Sequence, residues 1–214
     1  MEKVNQNNIN QLIELQYFGC IDYFKIIGSS SYNEIEQWEN FQKMSYRNRC
    51  TIFGSNGPID LSVPLKGGRE QKQLMKEIKI DNISNWRSQH IRAIKSSYAK
   101  SPFFEYYFSE ISRLIGNQHK FLLDQNMEIL SWLCETLKIS TTIKLTEQYH
   151  HHPDGIPDLR NKIKPQNQKF LSTDWAPKYL QVFEDKHSFQ PNLSIIDLLF
   201  CEGPNSKNLL LSSF

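Results

Sequence analysis

The chain lacks the features that identify membrane and secreted proteins. No run of about 18 apolar residues is present, which excludes a membrane-spanning helix. Residues 1–10 are polar and rich in asparagine, so we expect no secretory signal there. The four cysteines are far apart, form no CxxC pair and adjoin apolar residues. This usage predicts buried thiols in a cytoplasmic protein rather than a disulfide scaffold.

Common nucleotide and hydrolase motifs are also missing. The sequence has no GxGxxG, no GxxxxGK[ST] and no GxSxG, which disfavours the usual NAD enzymes, P-loop NTPases and α/β-hydrolases. Lysine and arginine number 25 and aspartate and glutamate 23, so the net charge is only +2. A general nucleic-acid binder usually carries a stronger positive field. We therefore predict no nucleic-acid partner, no cofactor and no bound metal.

What the chain does contain is typical of a globular protein. Apolar residues make up 39% of its 214 positions, enough for a sizeable core. Strand-like and helix-like patterns alternate, which predicts an α/β fold: one layered domain over 1–214 with a mixed β-sheet, a β-hairpin and three consecutive helices. Clustered prolines predict an irregular segment at about 147–178.

The periodicity of apolar residues places the individual elements. We predict strands at 11–16, 32–38, 47–53, 59–65, 77–80, 141–146 and 179–183, and helices at 21–28, 84–100, 103–115, 120–138 and 194–200. Residues 54–58, Gly-Ser-Asn-Gly-Pro, form the hairpin turn because glycine and asparagine tolerate positive φ. In the helix at 120–138 the amide of Asn126 is expected to brace a loop, and Ser194 and Asp197 have the spacing of a capping box.

Two arginines suggest a binding site. If 47–53 is a strand, Arg47 and Arg49 lie on one face about 7 Å apart, a spacing that suits a diphosphate or two carboxylates. The alternative is that each arginine pairs with Glu36 or Glu39 and only stabilises the sheet. Just before them, Glu36 and Glu39 are candidate general bases, although from the residues alone a solvated loop is the preferred interpretation of this segment. The neighbouring polar side chains with a candidate binding role are Asn40, Gln42, Lys43 and Asn48.

Histidine occurs at two places with a candidate role, His90 and the run 150–152. His90 shares a helix face with Trp86 and Ile94, so it is either a general acid or base near neutral pH or a core histidine with a hydrogen-bond partner. The run 150–152 is three histidines followed by Asp154 and Asp158, but consecutive side chains do not converge on one ion in regular structure. We interpret the run as a solvated loop.

Several stretches resemble the WbqC-like protein family in order and spacing. They are Tyr23-Phe24, ENFQK at 39–43, SYRNRC at 45–50, LSVP at 61–64, IKID at 78–81, Trp86 to Tyr98, SPFFEYY at 101–107, PNLSIIDLLF at 191–200 and EGP at 202–204. The match runs from about residue 12 to the end. Two features depart from the family: ELQYFG at 14–19 replaces a P-x-x-Y-L-P pattern, and the proline-rich segment replaces a glycine-rich stretch.

The resemblance implies a role in bacterial surface-polysaccharide (O-antigen type) biosynthesis, with aminoacyl or glycine transfer to a nucleotide- or lipid-linked sugar. On this interpretation Arg47 and Arg49 bind phosphates, and Glu36 or Glu39 with His90 deprotonates the attacking amine. Tyr17, in the loop that departs from the family, joins the substrate-binding residues. The alternative is a non-catalytic cytoplasmic module that docks a protein partner through the aromatic helix at 103–108 and the segment 150–177.

Overall fold

The computed structural model describes residues 10–68, 72–151, 155–165 and 177–211. The strands in these ranges are β1 (Asn10–Ile13), β2 (Tyr32–Ile35), β3 (Arg49–Gly54), β4 (Gly57–Ser62) and β5 (Thr142–Leu145). The helices are α1 (Ile21–Ser29), α2 (Trp86–Tyr98), α3 (Phe104–Gly116), α4 (Leu122–Thr136), α5 (Glu184–His187), α6 (Ile195–Glu202) and α7 (Ser206–Leu211). The predicted α/β class, hairpin and three consecutive helices are confirmed.

Three strands form a parallel sheet in the order β1-β2-β5. Helix α1 connects β1 to β2, as parallel neighbours require a crossover connection. Ile13 pairs with Ile35, and Ile35 pairs with Leu145. On the free side of β1, Asp158 forms a parallel bridge with Leu12. The carboxyl ends of all four segments therefore meet at one edge of the sheet.

The antiparallel strands β3 and β4 form a second sheet, the hairpin, and the other antiparallel pairs in the described residues are isolated bridges. Its turn is Ser55-Asn56, and the next residue, Gly57, has a φ of 115° that favours glycine. Thus the parallel and antiparallel pairs lie in two sheets rather than in one. Helix α2 is anchored to the hairpin because the Phe53 amide donates to the Tyr98 hydroxyl at 3.2 Å.

The three consecutive helices end where the sequence predicts. Helix α2 stops at Tyr98 and α3 begins at Phe104, so Ser101-Pro102 separates them as expected. Asn126 is buried on α4, and its Nδ2 donates to the carbonyl oxygen of Arg47 at 2.7 Å. The prediction that this amide braces a loop is confirmed.

Two predicted strands and one predicted cap are wrong. Residues 77–80 form the end of a 3-10 turn, Met75–Glu77, and then only isolated bridges. Residues 179–183 form no strand and pair with no described strand, and the side chains of Tyr179 and Gln181 both donate to the Asp197 carboxylate. Asp197 is therefore part of a buried network and does not form a capping box, and Ser194 donates its hydroxyl to the Phe18 carbonyl instead.

One apolar core contacts both sheets and most of the helices. All four cysteines are buried free thiols, as predicted, and burial raises the pKa of each. Within the described ranges, the helices are too short or too polar to cross a bilayer.

Candidate functional site

Polar residues collect where the parallel strands end. Glu14 follows β1, Glu36 follows β2 and Thr146 follows β5, and all three are buried. Arg160 lies two residues beyond the Asp158 bridge, and its side chain is 7% exposed. Ligands of open α/β sheets bind outside the carboxyl ends of the strands, so a ligand site is expected at this edge.

Glu36 is fully buried, and both oxygens of its carboxylate accept hydrogen bonds from the protein. Oε1 accepts from the Trp38 amide at 2.8 Å and from Thr146 Oγ1 at 2.9 Å. Oε2 accepts from the His150 amide and from Arg160 Nη1, both at 3.2 Å. With four donors already bound, Glu36 joins the strand ends together and is poorly suited to take a proton from a ligand.

Glu39 is held differently. Arg47 donates to one oxygen, Oε1, from Nε at 2.8 Å and from Nη2 at 2.5 Å. Among the described residues none donates to Oε2, and Glu39 lines the adjoining cleft. Burial raises the pKa of Glu39, and although Arg47 partly offsets this effect, the charge of Glu14 adds to it. Glu39 is thus a fixed carboxylate with one oxygen left for a ligand.

The cleft beside Glu39 has a volume of about 560 Å³. Its described lining combines two aromatic rings, three amides and several charged groups: Trp38, Glu39, Asn40, Gln42, Tyr149, His151, Asp158, Arg160 and Asn161. Trp38 is fixed by its indole N–H, which donates to the Thr146 carbonyl at 3.0 Å. Rings beside several hydrogen-bonding groups suit a polar ring such as a sugar.

The structure brings together only part of the predicted site. Glu36, Glu39, Asn40, Gln42 and Arg47 lie in or next to this cleft. The expected pairing of Arg47 with Arg49 on one strand face is wrong, because β3 begins at Arg49 and Arg47 lies in the preceding turn. The alternative explanation, an ion pair with Glu39, accounts for Arg47. The remaining predicted residues Lys43, Asn48 and Arg49 line a separate cleft.

His90 and Tyr17 lie in the core and not at the strand ends. Tyr17 is fully buried, and its hydroxyl lies 3.0 Å from His90 Nδ1. The His90 ring also packs edge-on against Trp86, with centroids 5.0 Å apart. His90 is 4% exposed and does not join Glu36 or Glu39, so the expected three-residue acid–base group is not formed. The core-histidine interpretation fits these contacts.

The buried His90 should make stability depend on pH. Burial lowers the His90 pKa from 6.5 to about 4, so the folded protein binds fewer protons than the unfolded chain between these values. We expect about 3 kcal/mol of stability to be lost as pH falls from 7 to 4 through this group. Urea unfolding of His90→Gln, compared with the parent chain across this range, should show a flatter acid limb. Equal slopes would contradict the assignment.

Several residues at the site were missed as site residues from sequence, among them Glu14, Arg160 and Asn161. Glu14 Oε2 accepts from the Asn161 amide at 2.8 Å, which ties the end of β1 to the 155–165 segment. Glu14 follows a buried strand directly, and that position was the available signal. Arg160 had none, because its role depends on the Asp158 bridge bringing a distant segment to the sheet.

The histidine run contributes to the site through the backbone of His150 and through His151, which lines the Glu39 cleft. The His150 amide holds Glu36, and His150 Nε2 lies 3.9 Å from Glu34. His152 and Asp154 are outside the described residues. Within the parts that are described, His, Cys, Asp and Glu side chains form no group of three placed to hold a metal ion.

Most aromatic rings of residues 103–108 pack against other parts of the protein. The Phe104 ring stacks on Phe108 at 4.4 Å between centroids and also contacts Phe200. Phe103 lies over Gly203, where an added Cβ would come within 2.4 Å of its ring. Tyr106 is 77% exposed, but one exposed ring does not make the apolar patch that partner docking through this helix requires.

Comparison with known proteins agrees with the resemblance of the motifs. The model of the WbqC-like protein family matches the chain in two segments, residues 16–167 and 160–209. The chain matches no curated protein and no solved structure. The matched segments include all the described lining residues of the Glu39 cleft and helix α6. Since the match extends over most of its length, the chain belongs to the WbqC-like protein family.

Proposed function

We propose that this protein is a transferase of bacterial surface-polysaccharide biosynthesis that attaches an acyl or aminoacyl group to the amine of a nucleotide- or lipid-linked sugar. The observation that carries the proposal is the state of Glu39. Its Oε1 is fixed by Arg47, its Oε2 has no donor among the described residues, and it borders a polar cleft. A positioned carboxylate with a raised pKa is suited to accept a proton.

The charge around the cleft favours a cationic group. Glu14, Glu36, Glu39 and Asp158 are four carboxylates against the two guanidinium groups of Arg47 and Arg160. When all are ionised, the carboxylates exceed the guanidinium groups by two. A protonated amine entering the cleft would reduce this excess, whereas an anionic ligand would increase it. The sugar amine, rather than a phosphate, therefore occupies this cleft.

The transfer follows from these groups. The ammonium loses a proton to Glu39 Oε2, and the freed nitrogen lone pair attacks the carbonyl carbon of an activated acyl donor. The bond from that carbon to its leaving group breaks, and the leaving group departs with the electron pair and takes the second proton of the attacking nitrogen, which leaves a neutral amide. Amide groups of Asn40 and Gln42 hold sugar hydroxyls, and Arg160 stabilises the oxyanion. Glu36 fixes Arg160 and takes no proton.

Ligand binding tests the proposal without knowledge of the acyl donor. We expect UDP-glucosamine to bind about tenfold more tightly than UDP-N-acetylglucosamine, whose acetyl group removes the positive charge. At about a hundred times its dissociation constant, the amine ligand should add about 2.7 kcal/mol of apparent stability in a thermal-shift assay. Calorimetric titration then gives the two affinities.

The matched variants are Glu39→Gln and Glu135→Gln. Glu135 is an exposed carboxylate on α4, so its neutralisation should leave the preference for the amine unchanged. Glu39→Gln should abolish that preference, because it removes the charge that contacts the ammonium. Equal binding of the two sugars by the parent chain, or an unchanged preference in Glu39→Gln, would contradict the proposal.

A further inference from the structure

A second cleft lies apart from the Glu39 site. Its volume is about 330 Å³, and its described lining is Phe41, Lys43, Met44, Asn48, Arg49, Ser62, Val63, Pro64, Leu65 and Gly68. The two clefts are formed by neighbouring residues of the chain, since Asn40 and Gln42 line the first and Phe41 and Lys43 line the second. No described residue lines both, so the clefts are distinct sites.

Arg49 is a partly buried arginine in the wall of this cleft. Its Nε is buried and has no hydrogen-bond partner. Within the described ranges no ion pair joins its guanidinium to a carboxylate, whereas Arg47 and Arg160 are both paired. Buried donors are nearly always satisfied, so an unpaired guanidinium at the wall of a cleft indicates an acceptor supplied by a ligand.

The surroundings favour an anion over other acceptors. No acidic side chain is found among the described lining residues. The nearest acid along the strand that pairs with Arg49 is Asp60, whose carboxylate accepts from Thr51 Oγ1 at 2.7 Å. The positive charge of Arg49 is thus not cancelled from the hairpin. The guanidinium fork matches the oxygens of a phosphate better than those of a neutral ligand.

We infer that the Arg49 cleft binds a phosphate group that is attached to an organic body. Arg49 donates to the phosphate oxygens, and the apolar wall of Phe41, Val63 and Leu65 contacts the attached group. This inference goes beyond the proposed transfer, because it rests on a different cleft and on different residues. It also gives Arg49 an anion-binding role without Arg47, which is occupied by Glu39.

Calorimetry with three phosphate probes tests the inference: inorganic pyrophosphate, uridine diphosphate and farnesyl phosphate. We expect pyrophosphate to bind weakly and in a salt-sensitive manner, and Arg49→Gln to weaken it by about tenfold or more. Tighter binding of uridine diphosphate identifies a nucleotide as the source of the phosphate, and tighter binding of farnesyl phosphate identifies a lipid. Either result supports a phosphate site.

The controls separate this site from the Glu39 site. Arg92→Gln removes an exposed arginine from α2 and should leave all three affinities unchanged. Glu39→Gln should also keep pyrophosphate binding, so failure of the proposed transfer would not remove the phosphate site. In the parent chain, pyrophosphate should shift the NMR signal of the Arg49 Nε–H. No binding of any probe at millimolar concentration, or unchanged binding by Arg49→Gln, would overturn the inference.

Discussion

Replacing Arg47 by methionine is expected to lower the free energy of unfolding by about 3–5 kcal/mol. Arg47 is fully buried, and its guanidinium holds Oε1 of the buried Glu39 through two hydrogen bonds. Methionine fills much of the same volume but leaves the Glu39 charge without its partner. Burial already raises the pKa of Glu39, and removal of Arg47 takes away the main effect that lowers it. The loss should therefore be smaller at low pH, where Glu39 is protonated.

Urea unfolding of three variants measures this effect. The double variant Arg47→Met with Glu39→Gln should recover much of the loss, since it removes the unpaired charge together with its partner. Arg113→Met is the control, because that arginine pairs with Glu110 at the surface and should change stability by less than about 1 kcal/mol. A double variant as unstable as Arg47→Met would show that packing, and not the buried charge, dominates at this position.

Replacing Asp197 by alanine is expected to cost about 2–6 kcal/mol, at about 1–3 kcal/mol for each buried hydroxyl left without an acceptor. Asp197 Oδ1 accepts from Tyr98 at 2.7 Å, and Oδ2 accepts from Tyr179 at 2.5 Å. Gln181 Nε2 also donates to Oδ2, at 3.1 Å. The carboxylate thereby joins α2, α6 and the segment before α5. The midpoint of urea unfolding should fall while the slope of the transition stays the same.

Two further variants distinguish the network from simple loss of packing. Tyr179→Phe removes one donor and should cost about 1 kcal/mol. Burial raises the pKa of Asp197, so the folded protein binds an extra proton between the ordinary aspartate pKa and the raised value. Stability from this group is present at low pH and is lost as pH rises through the raised pKa. Asp197→Asn should remove that decline, and an unchanged pH profile would contradict the assignment.

These two networks hold the turn before β3 and the hairpin that follows it. Arg47 is fixed through its side chain by Glu39 and through its carbonyl by Asn126 of α4, so the turn before β3 cannot shift without breaking both. The Asp197 network fixes α2, which carries Tyr98 against the hairpin. The Glu39 cleft is therefore built on a turn and on strand ends that distant helices keep in place. Such support is what a positioned carboxylate needs.

The sequence by itself determined the elements whose pattern is local. Helices α2, α3 and α4 follow from the spacing of their apolar residues, and the hairpin follows from Gly54 to Gly57, since 3.6-residue and two-residue periods need no distant partner. The α/β class followed from the alternation of these elements. Glu39 was also found from local sequence as a candidate base, because its neighbours along the chain are polar and charged.

The tertiary structure alone decided which of these residues meet. Arg47 and Arg49 are two positions apart, yet the strand begins at Arg49, so that the Arg47 side chain is buried against Glu39 while Arg49 lines the second cleft. His90 has the helical position of an acid or base, but packing places it in the core with Tyr17. Arg160 reaches Glu36 only because Asp158 pairs with β1. Strand pairing and burial depend on contacts between residues far apart in sequence, and local pattern does not encode them.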